Sequence, residues 1–109
     1  IRAVTNTGAA LNVKHIDILK SIFNCAEIFS MYGLTECKRC TYLPPNMINK
    51  KPTSVGIAIP NTELFVVDEH GNALKSNEVG QLVIRGATVM KGYWKKEKQT
   101  QEKLKDGPL

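Results

Sequence analysis

Between Arg2 and Met31 the hydrophobic period changes twice, and this constrains the fold more than any other feature of the sequence. Arg2-Ala3-Val4-Thr5-Asn6-Thr7 is a short β-like run ended by Gly8. Asn12 can then cap a helix in which Val13, Ile16, Leu19, Ile22 and Phe23 keep near-helical spacing, while Lys14, Asp17, Lys20 and Ser21 take the outer face. From Ala26 to Met31 the chain is apolar without clean alternation, as expected of a strand buried on both faces. Strand, helix and strand with tight connections make a βαβ unit, whose strands should lie parallel.

The character changes near Leu43-Pro44-Pro45-Asn46. Glu63 to Val67 reads as a strand, Asp68 to Asn72 as a turn, and Val79 to Arg85 as a second strand that Ala87 to Met90 can extend beyond Gly86. From Trp94 a polar, helical pattern runs through Lys105. The expected class is α/β: a βαβ edge of a parallel sheet, followed by a small antiparallel β-barrel-like subdomain, the whole a piece of a larger domain. The divisions are 1–43 for the βαβ part, 44–54 for a connector, 55–94 for the β subdomain, and 95–109 for a polar helix and a truncated turn.

A chain of 109 residues can bury roughly 60–70% of its unfolded surface, so a core needs no staples. With 42% hydrophobic and 23% charged residues the composition is that of a soluble globular protein. No apolar run approaches the ~18 residues of a membrane span, and no charged-then-apolar leader is present, so the cytoplasm is the expected location. The sequence opens on Ile1 and stops at the turn signal Asp106-Gly107-Pro108-Leu109, so an interior piece of a longer protein is expected. Three cysteines do not suggest a disulfide framework, and reduced thiols are expected. Much of the net charge of +5 lies between Lys91 and Lys105, among Gln and Glu, which reads as a solvated helix face. No arginine-rich arm or aromatic ladder accompanies it, so nucleic-acid binding is not expected.

The stretch from Ser30 to Cys40, SMYGLTECKRC, offers two incompatible chemistries. Its right half, Cys37-Lys38-Arg39-Cys40, is a C-x-x-C. Four-ligand zinc would need two more ligands, yet only Cys25, His15 and His70 remain, without the usual spacing. The pair is therefore read as two incidental thiols in a loop. His15 and His70 are expected to face solvent, and Trp94 to pack at a junction between the β subdomain and the helix. The left half sits where open α/β sheets bind ligands, outside the carboxyl ends of parallel strands, and so does Thr7-Gly8-Ala9-Ala10. Gly8, Ala9 and Ala10 would let a flat ring approach the backbone. Tyr32 can pack beside a base, Gly33 permits the turn, Thr35 offers a hydroxyl to a phosphate, and Glu36 a hard oxygen ligand for Mg²⁺. Each residue also has a structural explanation: Gly8 as a strand end, Tyr32 as a core-edge aromatic, Thr35-Glu36 as the exposed start of the next segment. Taken singly, the structural explanation is the stronger.

Five ordered blocks change that weighting. TGAAL, YGLTE about twenty residues later, SVGIAIPNTELFVVDEHGNAL, VGQLVIRGATVMKGYW, and a polar helix leading to DGPL together resemble the adenylate-forming superfamily of acyl-CoA synthetases, fatty-acid AMP ligases, luciferases and peptide-synthetase adenylation domains. GATVMKGYW and YLPP look more like the first two groups. Gln81 departs from the glutamate common at that position.

The resemblance implies that Gly8, Ala9, Ala10, Tyr32 and Gly33 bind the nucleotide, that Thr35 contacts the α-phosphate, and that Glu36 helps hold magnesium. Gly33 and Leu34 would border the acyl pocket. The implied enzyme activates a carboxylic acid, expected to be fatty, with ATP as acyl-AMP. It then passes the acyl group to CoA or to the phosphopantetheine of an acyl carrier protein. A Gly-rich phosphate loop, the ribose-binding aspartate and the catalytic lysine of that family are not found here, so the isolated 109 residues are expected not to catalyse adenylation. The alternative is a non-enzymatic β-rich interaction module acting through Lys91 to Lys105, which predicts salt-sensitive partner binding and indifference to Glu36→Ala.

Overall fold

The structure, a computed structural model, describes residues 1–104. Lys105 and the closing turn of the expected 95–109 segment lie outside the described residues. The chain divides into two compact units, one of Ile1–Leu34 with Arg39–Ile59, the other of Thr35–Lys38 with the residues from Pro60 onward.

The first unit contains the βαβ element. Strand β1 (Ala3–Asn6) pairs in parallel with β2 (Glu27–Tyr32), in register from Ala3 opposite Glu27 to Asn6 opposite Ser30. Helix α1 (Val13–Ile22) connects them, and the Asn12 side chain caps it by accepting a hydrogen bond from the Lys14 amide at 3.0 Å. Two short strands absent from the sequence reading complete the sheet. β3 (Thr41–Leu43) runs antiparallel to β2, and β4 (Ile57–Ala58) antiparallel to β3, giving the order β1-β2-β3-β4.

The core lies between one face of this sheet, α1 and a 3₁₀ turn at Pro45–Met47. Ile16, Ile28, Leu43 and Ile48 are buried there, with Leu11, Leu19 and Met47 packed against them. The apolar stripe of α1 is used only in part, since Val13 and Ile22 stay exposed. Strand β2 likewise departs from the expected burial on both faces. Alternation sets Phe29 and Tyr42, whose ring centroids lie 6.4 Å apart, on the face opposite Ile28 and Leu43, and there they are half-buried.

In the second unit β5 (Thr62–Val67) and β6 (Gln81–Gly86) form an antiparallel pair, in register from Thr62 opposite Gly86 to Val67 opposite Gln81. No closed barrel forms among the described residues; the pair is supplemented by single bridges between Val67 and Ala73 and between Cys37 and Val89. Residues 87–90 turn away from the β6 ladder instead of extending it, because Val89 pairs with Cys37. Helix α2 (Glu97–Lys103) buries no residue, as its polar sequence requires. Trp94 is 85% exposed instead of packed at a junction, with the Lys95 ammonium over its ring.

The turn after β5 is organised by Asp68, as the Asp-x-x-Gly-Asn spacing allows. Its carboxylate accepts from the side-chain amide of Asn72 at 3.0 Å and from the backbone amides of Asn72 and His70 at 2.8 and 2.9 Å. These bonds, the Asn72 side chain foremost, hold the Asp68 pKa below its ordinary value. Stability from such a depressed carboxylate is present above the unfolded value near 3.9 and is lost as pH falls through the lower folded pKa. Backbone amide shifts of His70 and Asn72 should therefore titrate with a midpoint below about 3.9, and Asp68→Asn should remove that transition.

Candidate functional site

The parallel register of β1 and β2 brings their carboxyl ends to one edge of the sheet, where a cleft of about 750 Å³ opens. Gly8, Ala9 and Ala10 line it after β1; Tyr32, Gly33 and Leu34 line it at the end of β2. Six expected nucleotide or acyl-pocket residues thus face one cavity, within the size range of small-molecule sites. A Cβ built on Gly8 would meet no heavy atom within 4 Å, so the backbone there is open to a ligand.

The sequence reading missed the opposite wall, formed by Pro52, Thr53, Ser54 and Val55. Pro52, Thr53 and Ser54 read as connector and Val55 as the start of the β subdomain, because a two-residue strand carries no periodicity. They are fixed by the turn into β4 and by Thr41, wholly buried, whose hydroxyl donates to the Val55 carbonyl. Near the same edge, Asn6 Oδ1 is buried with no hydrogen-bond partner among the described residues.

Thr35 and Glu36 belong to the second unit. Thr35 is exposed and Glu36 half-buried. The backbone at Glu36 is held by its carbonyl, which accepts from the Met90 amide at 2.7 Å, and by the adjoining Cys37–Val89 bridge. The carboxylate itself accepts a hydrogen bond at Oε1 from the Tyr93 hydroxyl. That bond is the chief reason the Glu36 pKa lies below its ordinary value, and the same bond raises that of Tyr93. Glu36 is therefore ionised at neutral pH, as a hard-cation ligand must be.

Cys37 and Cys40 lie in the loop between β2 and β3, as expected. Cys37 and Cys40 are both buried, and Cys37 Sγ lies 3.3 Å from the Thr88 hydroxyl. Among the described residues no three His, Cys, Asp or Glu side chains group as a metal site. His15 and His70 face solvent, as expected. No helix among the described residues is long and apolar enough to cross a membrane.

Comparison with known proteins accords with this arrangement. The chain is 36% identical over 81 residues to a long-chain-fatty-acid–CoA ligase of Haemophilus influenzae, covering 74% of this chain and 14% of that protein. It is 39% identical over 107 residues to long chain acyl-CoA synthetase 3 of Arabidopsis thaliana, covering 94% of this chain and 16% of the relative. The chain therefore spans about one-seventh of the length of these relatives. Among solved structures it superposes on VinN with a TM-score of 0.90 at 39% identity, over 97% of this chain and 27% of VinN, which has also been solved with L-aspartate. The family model described as AMP-binding enzyme matches residues 1–94, from β1 through the Gly-Tyr-Trp after β6. With the glycine-lined cleft and Tyr-Gly-Leu-Thr-Glu at the end of β2, that match over most of its length identifies the chain as a member of the AMP-binding enzyme family.

Proposed function

We propose that this chain is the nucleotide-facing segment of a ligase that activates a carboxylic acid as its acyl-adenylate and passes the acyl group to a thiol. The observation that carries the reading is the cleft that gathers Gly8, Ala9, Ala10, Tyr32, Gly33 and Leu34 from two loops some twenty residues apart. The cleft fits a nucleotide: its Gly8 side has no side chain and no neighbour to displace, and Tyr32 supplies an aromatic partner. Glu36 fits a magnesium ion, being an ionised carboxylate with one oxygen engaged by Tyr93 and lone pairs to spare.

In this reading Gly8, Ala9 and Ala10 admit the adenine ring, while Tyr32 packs beside it and fixes its orientation. Thr35 donates its hydroxyl to an α-phosphate oxygen, and Glu36 holds the magnesium ion. When bound, the metal offsets the negative charge that builds on the phosphate oxygens. The substrate carboxylate attacks the α-phosphorus, the bond to pyrophosphate breaks, and a thiol of CoA or of a carrier's phosphopantetheine then displaces AMP. Holding acid and ATP in line supplies much of the remaining acceleration. Leu34 and Gly33 border the acyl group.

A fatty acid is the first substrate class, supported by the two ligase relatives named for such chemistry. An amino acid is the second, favoured by the likeness to VinN, solved with L-aspartate. The test is product analysis with the full reading frame that carries this segment. Incubation with ATP, magnesium and a panel of both acid classes should release AMP and pyrophosphate, with acyl-adenylate accumulating when thiol is withheld. Release of ADP and phosphate instead would refute the reading.

A further inference from the structure

Tyr93 is absent from the site read off the sequence, yet its hydroxyl donates to the carboxylate of Glu36, 57 positions earlier in the chain. Tyr93 is itself held. Its backbone amide donates to the Thr100 hydroxyl at 2.9 Å, and that hydroxyl donates to the Lys96 carbonyl at 2.9 Å. Thr100 lies in α2, whose otherwise unburied sequence thereby acquires a task. The Glu36 backbone is fixed separately, through Met90 and the Cys37–Val89 bridge. Main chain and side chain of one glutamate are thus anchored by the single stretch from Val89 to Thr100.

We infer that Tyr93 is a positioning residue for Glu36, and that with Thr100 behind it Tyr93 sets the carboxylate rotamer in which Glu36 takes a divalent cation. The inference rests on the proposed role of Glu36 as a cation ligand. A carboxylate offers about four lone-pair sites on two oxygens. The Tyr93 phenol takes one of these sites, on Oε1, so the hydrogen bond and a metal bond are compatible. Hydrogen bonds to a metal-ligating carboxylate orient the ligand, and their removal typically lowers metal affinity about 10- to 100-fold.

The test is Mn²⁺ binding to the full-length protein in the presence of a non-hydrolysable ATP analogue, read from the electron paramagnetic resonance of free Mn²⁺. Melting temperature and AMP affinity in EDTA are measured beside it. Tyr93→Phe should raise the Mn²⁺ dissociation constant about tenfold and leave AMP affinity in EDTA unchanged. Thr100→Val, which keeps the bulk of the side chain, should raise it by a smaller factor. Glu36→Ala should raise it most, and adding Tyr93→Phe to Glu36→Ala should change it no further. Wild-type Mn²⁺ affinity in both Tyr93→Phe and Thr100→Val, with loss in Glu36→Ala, would overturn the positioning role and leave Glu36 as a ligand. Tighter Mn²⁺ binding in Tyr93→Phe would make the phenol a competitor and overturn it equally. Wild-type affinity in Glu36→Ala would refute the ligand role itself, and the inference with it.

Discussion

Replacing Glu36 by alanine in the full reading frame is expected to slow acyl-adenylate formation by at least about 100-fold. The expectation follows from what the carboxylate is asked to supply. A metal held on phosphate oxygens provides several kcal/mol of transition-state stabilisation, and each 1.36 kcal/mol is about a factor of ten. The protein should nevertheless fold. The Glu36 carbonyl still receives the Met90 amide, the Cys37–Val89 bridge is untouched, and the Tyr93 hydroxyl loses its carboxylate partner. A melting temperature near that of the wild type with activity largely gone is the expected pair of results. Retained activity would remove Glu36 from the chemistry.

Gly56→Ala is the second substitution with a large expected effect, and here the loss is structural. Gly56 adopts φ +84°, and a Cβ at that position would lie 1.9 Å from the Tyr42 carbonyl oxygen. Backbone cannot step aside as a flexible side chain can. The β3–β4 pairing of Tyr42 with Ile57 must therefore break, carrying the Pro52 to Val55 wall with it. Gly71 supplies the control, because it shares φ +84° but a Cβ there meets nothing within 4 Å. Gly71→Ala should cost about 1 kcal/mol, the conformational cost alone. Gly56→Ala should cost about 3 kcal/mol more, the upper end of the usual cost of overpacking. Amide hydrogen exchange at Thr41 and Ile59 against Val66 and Leu74 separates the two. Equal loss of protection in both variants would mean that the clash is relieved by a movement the structure does not contain.

The contrast between these glycines also shows what a sequence can disclose. The βαβ element was legible because its signals are local: Asn12 caps, Ile16 and Leu19 repeat at helical spacing, and Gly8 ends the first strand. The cleft followed, since parallel strands must share an edge at their carboxyl ends. Strands β3 and β4, at three and two residues, carry no period and lie beside prolines that read as punctuation. Their place is decided by pairing with β2 and by the buried Thr41, which are tertiary facts. Trp94 was misread for a related reason. A large aromatic between a strand and a helix reads as core, but α2 buries nothing and offers it no partner surface. Tyr93 was missed because its partner is 57 residues away, and no local pattern encodes that distance.

The most direct measurement of the central claim is acid-dependent exchange of labelled pyrophosphate into ATP by the full-length protein, across short to long fatty acids and aspartate-like amino acids. The account predicts exchange with one acid class, dependent on magnesium and largely lost in Glu36→Ala. A well-folded protein that exchanges with no acid, or whose exchange is indifferent to Glu36, would contradict it.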